Sequence, residues 1–315
     1  MMFEAEAITE ISSGPRVVRV DAFAVPAWVG HLLGDQAVTA DTVVHEGLRV
    51  QVAAAERLAF VQVVLPGALG LETREFERRV TEVYAVLRDR LERRRAGHPL
   101  RFWNFIPDIH GPAHDGMDRY EVFNAGRHAA FADWYRTTCL GPRMIAASGV
   151  GHRAPDFVVQ ALAGERPGRG LENPRQRAAY RYSKRYGPLP PCFARATVVD
   201  DPAGAVPGRK LLIVAGTASV VGEDSVHQGD LEKQLEETCV NLDCLIAAAE
   251  PGCAEPLSRF RELRAYVVDD ASQAPLVDLI AARFPNLERL ELMSADLCRA
   301  DLLVEVEGVV DLGAA

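Results

Sequence analysis

One stretch near the C-terminus decides the fold: Cys298–Gly308, which reads CRADLLVEVEG. From Leu302 onward, aliphatic residues alternate with a second set that includes two glutamates, and a period of two is typical of a β-strand. The aliphatic face belongs in a core, whereas Glu305 and Glu307 point together to the other face. Because charged residues are mostly exposed, the simpler interpretation is a solvated sheet face. The alternative is a carboxyl group held on a rigid strand for proton transfer.

Composition and charge limit the classes of partner. The chain has 315 residues, of which 48% are hydrophobic and 25% are charged, and it is long enough for two domains of ordinary size. Its net charge of −9 argues against a general role on nucleic acid or acidic membranes. No apolar run reaches the length of a membrane span. Met1–Pro15 carries acidic residues where a signal peptide needs basic ones, so we expect a cytoplasmic protein. From the net charge and the lack of a long apolar run, we expect neither nucleic-acid nor membrane partners.

The cysteines and histidines do not form a metal-binding pattern. None of the six cysteines forms a CxxC pair, which indicates reduced thiols and argues against a zinc site or a disulfide framework. His110 and His114 are four residues apart, but Gly111 and Pro112 between them disfavour a helix. The sequence therefore predicts no metal site.

Both halves of the chain show the same order of elements: strand, strand, helix, strand, helix, strand, strand. The first half has strands at 48–53, 58–65, 100–106, 144–150 and 156–163, with helices at 71–95 and 125–139. The second has strands at 193–199, 210–214, 263–268, 287–293 and 302–309, with helices at 230–250 and 272–284, the latter with Ser272 as N-cap. This order predicts an α+β fold of two units, each a mixed β-sheet with two helices on one face. We expect an N-terminal unit over 1–164, a Gly-, Pro-, Arg- and Tyr-rich connecting segment over 165–191 and a C-terminal unit over 192–315.

Four polar residues are candidates for binding an anion. Asn124 and Arg127 fall at the expected start of a helix, where an arginine can pair with a carboxylate; the alternative is a surface arginine beside a capping asparagine. Arg195 and Arg264 lie within apolar strands, and a buried arginine needs an anionic partner. That partner is either a ligand or a structural carboxylate.

Two further features allow a functional and a plain structural interpretation. The turn Gly216-Thr217-Ala218-Ser219 follows an aliphatic strand and offers backbone N–H groups and two hydroxyls. Because it lacks the spacing of a phosphate-binding loop or a dinucleotide fingerprint, nucleotide binding is not expected, and a simple turn is the alternative. Cys298 is small, and most such cysteines are buried packing residues.

Four stretches taken together identify a family: Arg101–Pro107, Glu172–Gln176, Gly216–Ser219 and Cys298–Gly308. Over about 101–308 the chain resembles the chorismatases, relatives of the RidA/YjgF (chorismate-mutase-like) fold. The resemblance implies two RidA/YjgF-like units, with a catalytic C-terminal unit. It implies no metal or organic cofactor, since an acid and the substrate suffice.

The resemblance also implies a catalytic acid and a substrate. In the family a glutamate on the last strand is the acid, and Glu305 stands at that position. It would protonate the enolpyruvyl methylene of chorismate, for which the carboxyl group must be neutral. Burial favours the neutral form, because it raises the pKa of a carboxyl group. Chorismate is a dianion, so two arginine contacts are expected. The candidates are Arg127 with Arg195 or Arg264, assisted by Asn124 and by the backbone that begins at Gly216.

The family divides by product: 3-hydroxybenzoate and pyruvate, a dihydroxycyclohexadienoate and pyruvate, or 4-hydroxybenzoate. The first branch has a cysteine seven residues before the acid, as Cys298 is here, and a glycine at a pocket position where the hydrolytic branch has alanine. If that position is Ala215, the assignment is mixed, and we favour 3-hydroxybenzoate. The alternatives outside the family are an imine-deaminating relative and a non-catalytic ligand-binding protein. Two units in one chain are compatible with a monomer.

Overall fold

The structure is a computed structural model, and it describes residues 8–9, 14–34, 38–113, 116–204 and 206–314. His114 and most of Met1–Pro15 lie outside these ranges, together with the expectations that concerned them. Within the described ranges, no helix is both long enough and apolar enough to span a membrane.

The first sheet has six strands, and two helices cover one of its faces. Its elements, in chain order, are β3 (Val38–His45), β4 (Leu48–Ala54), β5 (Leu58–Leu65), α2 (Thr73–Glu92), β6 (His98–Pro107), α3 (Arg119–Tyr135), β7 (Ala146–His152) and β8 (Phe157–Gly164). The strand order is β3-β4-β5-β8-β6-β7, and only β6 and β7 pair in parallel. The apolar stripe of α2 packs with α3 and the sheet in one buried cluster, which includes Phe76, Val80 and Val83.

The second sheet has eight strands and is covered in the same way. Its elements are β1 (Ile8–Thr9), β2 (Arg16–Arg19), β9 (Arg169–Leu171), β10 (Ala196–Asp200), β11 (Arg209–Ala218), β14 (Phe260–Val267), β15 (Arg289–Ser294) and β16 (Val304–Ala314), with helices α4 (Leu231–Ala249) and α5 (Gln273–Arg283). The order is β1-β2-β15-β14-β16-β11-β10-β9. A helix α1 (Ala27–Leu33) and a short hairpin of β12 (Val220–Val221) and β13 (Asp224–Ser225) complete the α-helices and strands of the described residues.

The two units repeat one topology. The order β4-β5-β8-β6-β7 in the first sheet corresponds strand for strand to β10-β11-β16-β14-β15 in the second, and in both the last two strands are parallel. This confirms the predicted α+β class and the two units with two helices each.

The two sheets pack against each other through a separate buried cluster, which joins residues such as Phe60 and Trp103 of the first sheet to Ile213 and Tyr266 of the second. The molecule therefore has four layers: helices, sheet, sheet, helices. The face of β16 that turns away from α4 and α5 is covered by the other sheet. The simpler interpretation of Glu305 and Glu307 as solvated residues is wrong for this reason, since they are 5% and 1% exposed.

Several local expectations differ from the structure. Strand β2 pairs with β15, so the division into sheets departs from the expected N-terminal unit over 1–164. The connecting segment is partly structured, since β9 pairs with β10. Helix α1 and strand β3 were not predicted. At α5, Ser272 occupies the N-cap position, but its side chain makes no capping hydrogen bond.

Candidate functional site

A cavity of about 300 Å³ opens between the two units. Strands β6 and β7 and helix α3 form one side, β11, β16 and the loop before β16 form the other, and the connecting segment closes a third. Five of the predicted site residues line it: Arg127, Arg195, Gly216, Cys298 and Glu305.

Glu305 presents a buried carboxyl group to this cavity. It lies opposite Tyr266 on one neighbouring strand and Ala218 on the other, so its position is fixed by the sheet. Among the described residues, none donates a hydrogen bond to its carboxyl. Burial, together with the negative charge of Glu307, raises the pKa of Glu305 to about 8, against the opposing effect of Arg101 and Arg195. Glu305 is therefore mostly protonated at neutral pH and can act as an acid.

Glu307, two residues along the same strand, is fully engaged. Arg101 Nη2 donates to its Oε2 at 2.6 Å, Trp103 Nε1 donates to its Oε1 at 2.7 Å, and the Ser148 hydroxyl donates to Oε2 at 2.7 Å. All three donors come from the first sheet. The ion pair between Arg101 and Glu307 is buried, and a buried pair of this kind holds only while both partners remain.

Gly216 lies in direct contact with the Glu305 carboxyl. A Cβ atom added at Gly216 would lie 1.7 Å from Glu305 Oε1, which no side chain can tolerate. A glycine is therefore required here by close approach of a side chain to the backbone. The neighbouring Ala215 is fully buried and does not line the cavity.

Two arginines and two tyrosines form an aromatic and cationic wall. Arg195 Nη2 donates to the Tyr182 hydroxyl at 2.6 Å, and the Arg299 guanidinium lies 5.3 Å from the Tyr182 ring centre and 4.0 Å from that of Tyr186. No carboxylate of the described residues lies within ion-pair distance of either arginine. These two charges are therefore available to an anion in the cavity.

Arg127 supplies a third cation from the opposite side. It is 2% exposed, and its Nε and Nη2 have no hydrogen-bond partner among the described residues. Its guanidinium lies 4.9 Å from the Phe131 ring centre and within 6 Å of three further aromatic rings. A buried guanidinium that has no carboxylate partner among the described residues and lies beside a cavity is suited to a carboxylate ligand.

The expected position of Asn124 and Arg127 at a helix start is wrong. Helix α3 begins earlier, because Asp118 and Glu121 form a capping box that fixes its first turn. Asn124 and Arg127 therefore lie inside the helix, where no free N–H groups assist them. Asn124 is buried, both of its amide atoms lack partners in the part of the chain that the structure describes, and it does not line the cavity.

The structure does not bring Arg264 to the cavity. Its Nη2 donates to Glu291 Oε2 at 2.6 Å and its Nη1 donates to the Ala24 carbonyl at 2.9 Å. Of the two partners expected for a buried arginine, Arg264 has the structural carboxylate.

Cys298 lines the cavity beside the acid. Burial, with a smaller contribution from Glu305, raises the pKa of the Cys298 thiol to about 12. The thiol therefore stays protonated at neutral pH and is a poor nucleophile, since only a thiolate is a strong one.

The cavity residues that sequence reasoning missed include Ser148, Tyr182, Tyr186 and Arg299. Arg299 falls in the stretch Cys298–Gly308 and the two tyrosines in the expected connecting segment, but nothing in their spacing separates a cavity residue from a surface one. Ser148 sits among small residues with no pattern, and only the pairing of the two sheets gives it a role.

Comparison with known proteins identifies a family. Residues 36–163 match a family model described as chorismatase FkbO/Hyg5-like, N-terminal. A 3-hydroxybenzoate synthase from Streptomyces hygroscopicus is 36% identical over 67% of this chain and 63% of its own length. A chorismatase from Streptomyces rapamycinicus is 35% identical over 68% of this chain and 65% of its own length. The chain thus matches less than two thirds of the length of each of these relatives.

A crystal structure of a chorismatase has the same arrangement. It matches 86% of this chain and 80% of its own length, with a TM-score of 0.72 and 27% sequence identity. The repeated topology, the cavity between the units and the likeness to these proteins lead to one conclusion. This chain belongs to the chorismatase family.

Proposed function

We propose that this protein converts chorismate to 3-hydroxybenzoate and pyruvate. The observation that carries the proposal is the Glu305 carboxyl, which is buried, lacks a donor among the described residues and faces a cavity with three arginines that have no carboxylate partner there. The name of the 3-hydroxybenzoate synthase relative supports the choice of product.

Glu305 donates its proton to the methylene of the enolpyruvyl ether, which becomes a methyl group. The positive charge that develops on the adjoining carbon is shared with the ether oxygen. The neighbouring ring hydroxyl then displaces that oxygen, so the ring C–O bond breaks and pyruvate leaves, while the hydroxyl proton returns to Glu305. Opening of the resulting arene oxide and loss of a ring proton give 3-hydroxybenzoate. Atoms balance with no water, oxidant or cofactor consumed.

The arginines divide between the two carboxylates of the substrate. Arg195 and Arg299 lie together on one wall, near Cys298 and Glu305, and Arg127 lies on the α3 side. We assign Arg195 and Arg299 to the pyruvyl carboxylate, because the methylene must reach Glu305, and Arg127 to the ring carboxylate. Arg264, which Glu291 neutralises, has no part in this assignment.

The test is incubation of the purified protein with chorismate, with the products separated by chromatography and identified by mass. We expect 3-hydroxybenzoate and pyruvate in equal amounts. A dihydroxycyclohexadienoate would mean that water replaces the ring hydroxyl as nucleophile. 4-Hydroxybenzoate would mean that pyruvate is eliminated while the ring hydroxyl keeps its own carbon. Both products are compatible with Glu305 as the acid, but they would place the protein in another product branch of the family. Unchanged chorismate would overturn the proposal in favour of a ligand-binding protein.

A further inference from the structure

A β-bulge interrupts strand β11 where it passes the two glutamates. Ala215 and Gly216 together face the single residue Glu307 of β16. A bulge releases backbone groups from the ladder. The Ala215 N–H still donates to the Arg195 carbonyl at 2.9 Å, which continues the pairing of β11 with β10, whereas the Gly216 N–H leaves the ladder and donates to Ser148 Oγ at 3.0 Å.

Ser148 belongs to the other sheet, and its hydroxyl joins three groups. It donates to Glu307 Oε2 at 2.7 Å and accepts from Arg101 Nη2 at 2.5 Å and from the Gly216 N–H. A hydroxyl has one proton and two lone pairs, so its whole capacity is used. Because the residue is only 4% exposed, water does not readily replace any of these partners.

We propose that Ser148 is a positioning residue for the acid: it fixes the bulge so that the Gly216 backbone closes one side of the Glu305 carboxyl. The contact is so close that a Cβ atom would overlap Glu305 Oε1, and no water fits between them. Removal of the hydroxyl frees the Gly216 N–H, loosens the bulge and admits water to the carboxyl. The inference rests on the proposed function, because it concerns the group that transfers the proton.

Several charged or titratable groups act on the Glu305 carboxyl, and they determine what a pH profile reports. They are Glu307 on the same strand, Arg101 on β6, Arg195 before β10, Tyr266 on β14, Tyr120 on α3 and Cys298 before β16. Ser148 contacts the first two directly. Hydration of the carboxyl lowers its pKa, because burial is the main cause of the rise.

The test compares Ser148→Ala with Thr197→Val. Thr197 is also buried and also links the units, since its Oγ1 accepts from the Ala146 N–H at 2.8 Å on the same strand β7, but it does not contact the bulge. We expect Ser148→Ala to lower kcat about tenfold with little change in KM. We also expect the high-pH limit of activity to move down by about one pH unit. Thr197→Val should keep the wild-type kcat and pH profile.

Ser148→Cys provides a second route if Ser148→Ala does not fold. Its thiol fills the place of the hydroxyl but donates and accepts only weak hydrogen bonds, so the same loss of kcat and the same shift of the pH limit are expected. The inference is overturned if the variant that folds keeps the wild-type kcat and pH limit, or if Thr197→Val matches Ser148→Ala.

A readout without turnover separates this inference from the proposed function. Infrared difference spectra, with Glu305→Gln as the blank, follow the Glu305 carboxyl as it ionises. Ser148→Ala should ionise at lower pH than the wild type even if chorismate is not the substrate. An unchanged titration would overturn the role of Ser148 alone.

Discussion

The same strand of the two repeated units carries Gln160 in the first and Glu305 in the second. Gln160 lies opposite Trp103, as Glu305 lies opposite Tyr266. The Gln160 side chain is completely buried, and its amide donates to the Phe23 carbonyl at 2.6 Å and to Gln62 at 2.7 Å. In the first unit, hydrogen-bond partners occupy the space around this side chain, whereas in the second unit the side chain faces a cavity.

A second pair of equivalent positions behaves in the same way. Arg101 and Arg264 each precede the aromatic residue by two positions, on β6 and β14. Arg264 bonds to Glu291 on the next strand of its own sheet, whereas Arg101 reaches across to Glu307 of the other sheet. One topology therefore places a hydrogen-bonded amide at this position in one unit and a carboxyl group that faces a cavity in the other, and the difference comes from what each side chain meets across the interface.

The largest effect is expected from Glu305→Gln, which gives β16 the residue that β8 has. The amide keeps the size but cannot donate the proton, so kcat should fall by about 10²- to 10⁴-fold. Chorismate should still bind, as measured by calorimetry on the inactive variant. Normal turnover would show that Glu305 is not the acid, and Gln160→Glu serves as the control that should leave turnover per folded molecule unchanged.

The next largest effect should distinguish Arg101 from Arg264. Arg101→Met leaves Glu307 buried without its cation, and we expect a loss of about 3–5 kcal/mol in the free energy of unfolding, measured with urea. Arg264→Met should cost less, because Arg289 still lies 3.2 Å from Glu291. Only Arg101→Met should also lower turnover per folded molecule. Equal effects of both variants on turnover would remove the distinction between the halves.

The protonation state of Glu305 should make the activity depend on pH. The acid must be neutral, and the pKa of Glu305 is raised to about 8, so activity is present below that pH and is lost as pH rises through it. Above the limit, kcat should fall about tenfold per pH unit. The Cys298 thiol does not set this limit, since burial raises its pKa to about 12. A rate that stayed constant to pH 10 would exclude Glu305 as the proton donor.

The smallest effect concerns the product. Cys298 lines the cavity next to the acid, and Cys298→Ala makes room for water. We expect the ratio of products to move a few fold from 3-hydroxybenzoate toward the dihydroxy acid, which corresponds to about 1 kcal/mol between competing barriers. Chromatography of the two products measures the ratio. An unchanged ratio would mean that the thiol does not select the nucleophile.

Local patterns in the sequence predicted most of the elements, including the strand that carries Glu305. The alternation around Glu305 and the stripe of α2 are local, so the strand and the helix could be read directly. The start of α3 was missed, although Asp118 and Glu121 are three residues apart as a capping box requires.

What the sequence did not reveal depends on contacts between distant segments. Whether Arg264 meets a ligand or Glu291 is decided by strands 27 residues apart, and the role of Ser148 requires β7, β11 and β16 together. The burial of Glu307 likewise depends on the other sheet. Side chains of this kind have no local signature, because their partners are chosen by the packing of the two units.

The pairing of β2 with β15 has a consequence for biosynthesis. Arg16 is made 273 residues before its partner in the sheet, Arg289. This part of the second sheet can therefore close only after β15 has been released, and such distant pairing is slow. Until then the edge of β2 that pairs with β15 remains open to strands of other chains. Yield in a heterologous host should depend on how fast this final step follows synthesis.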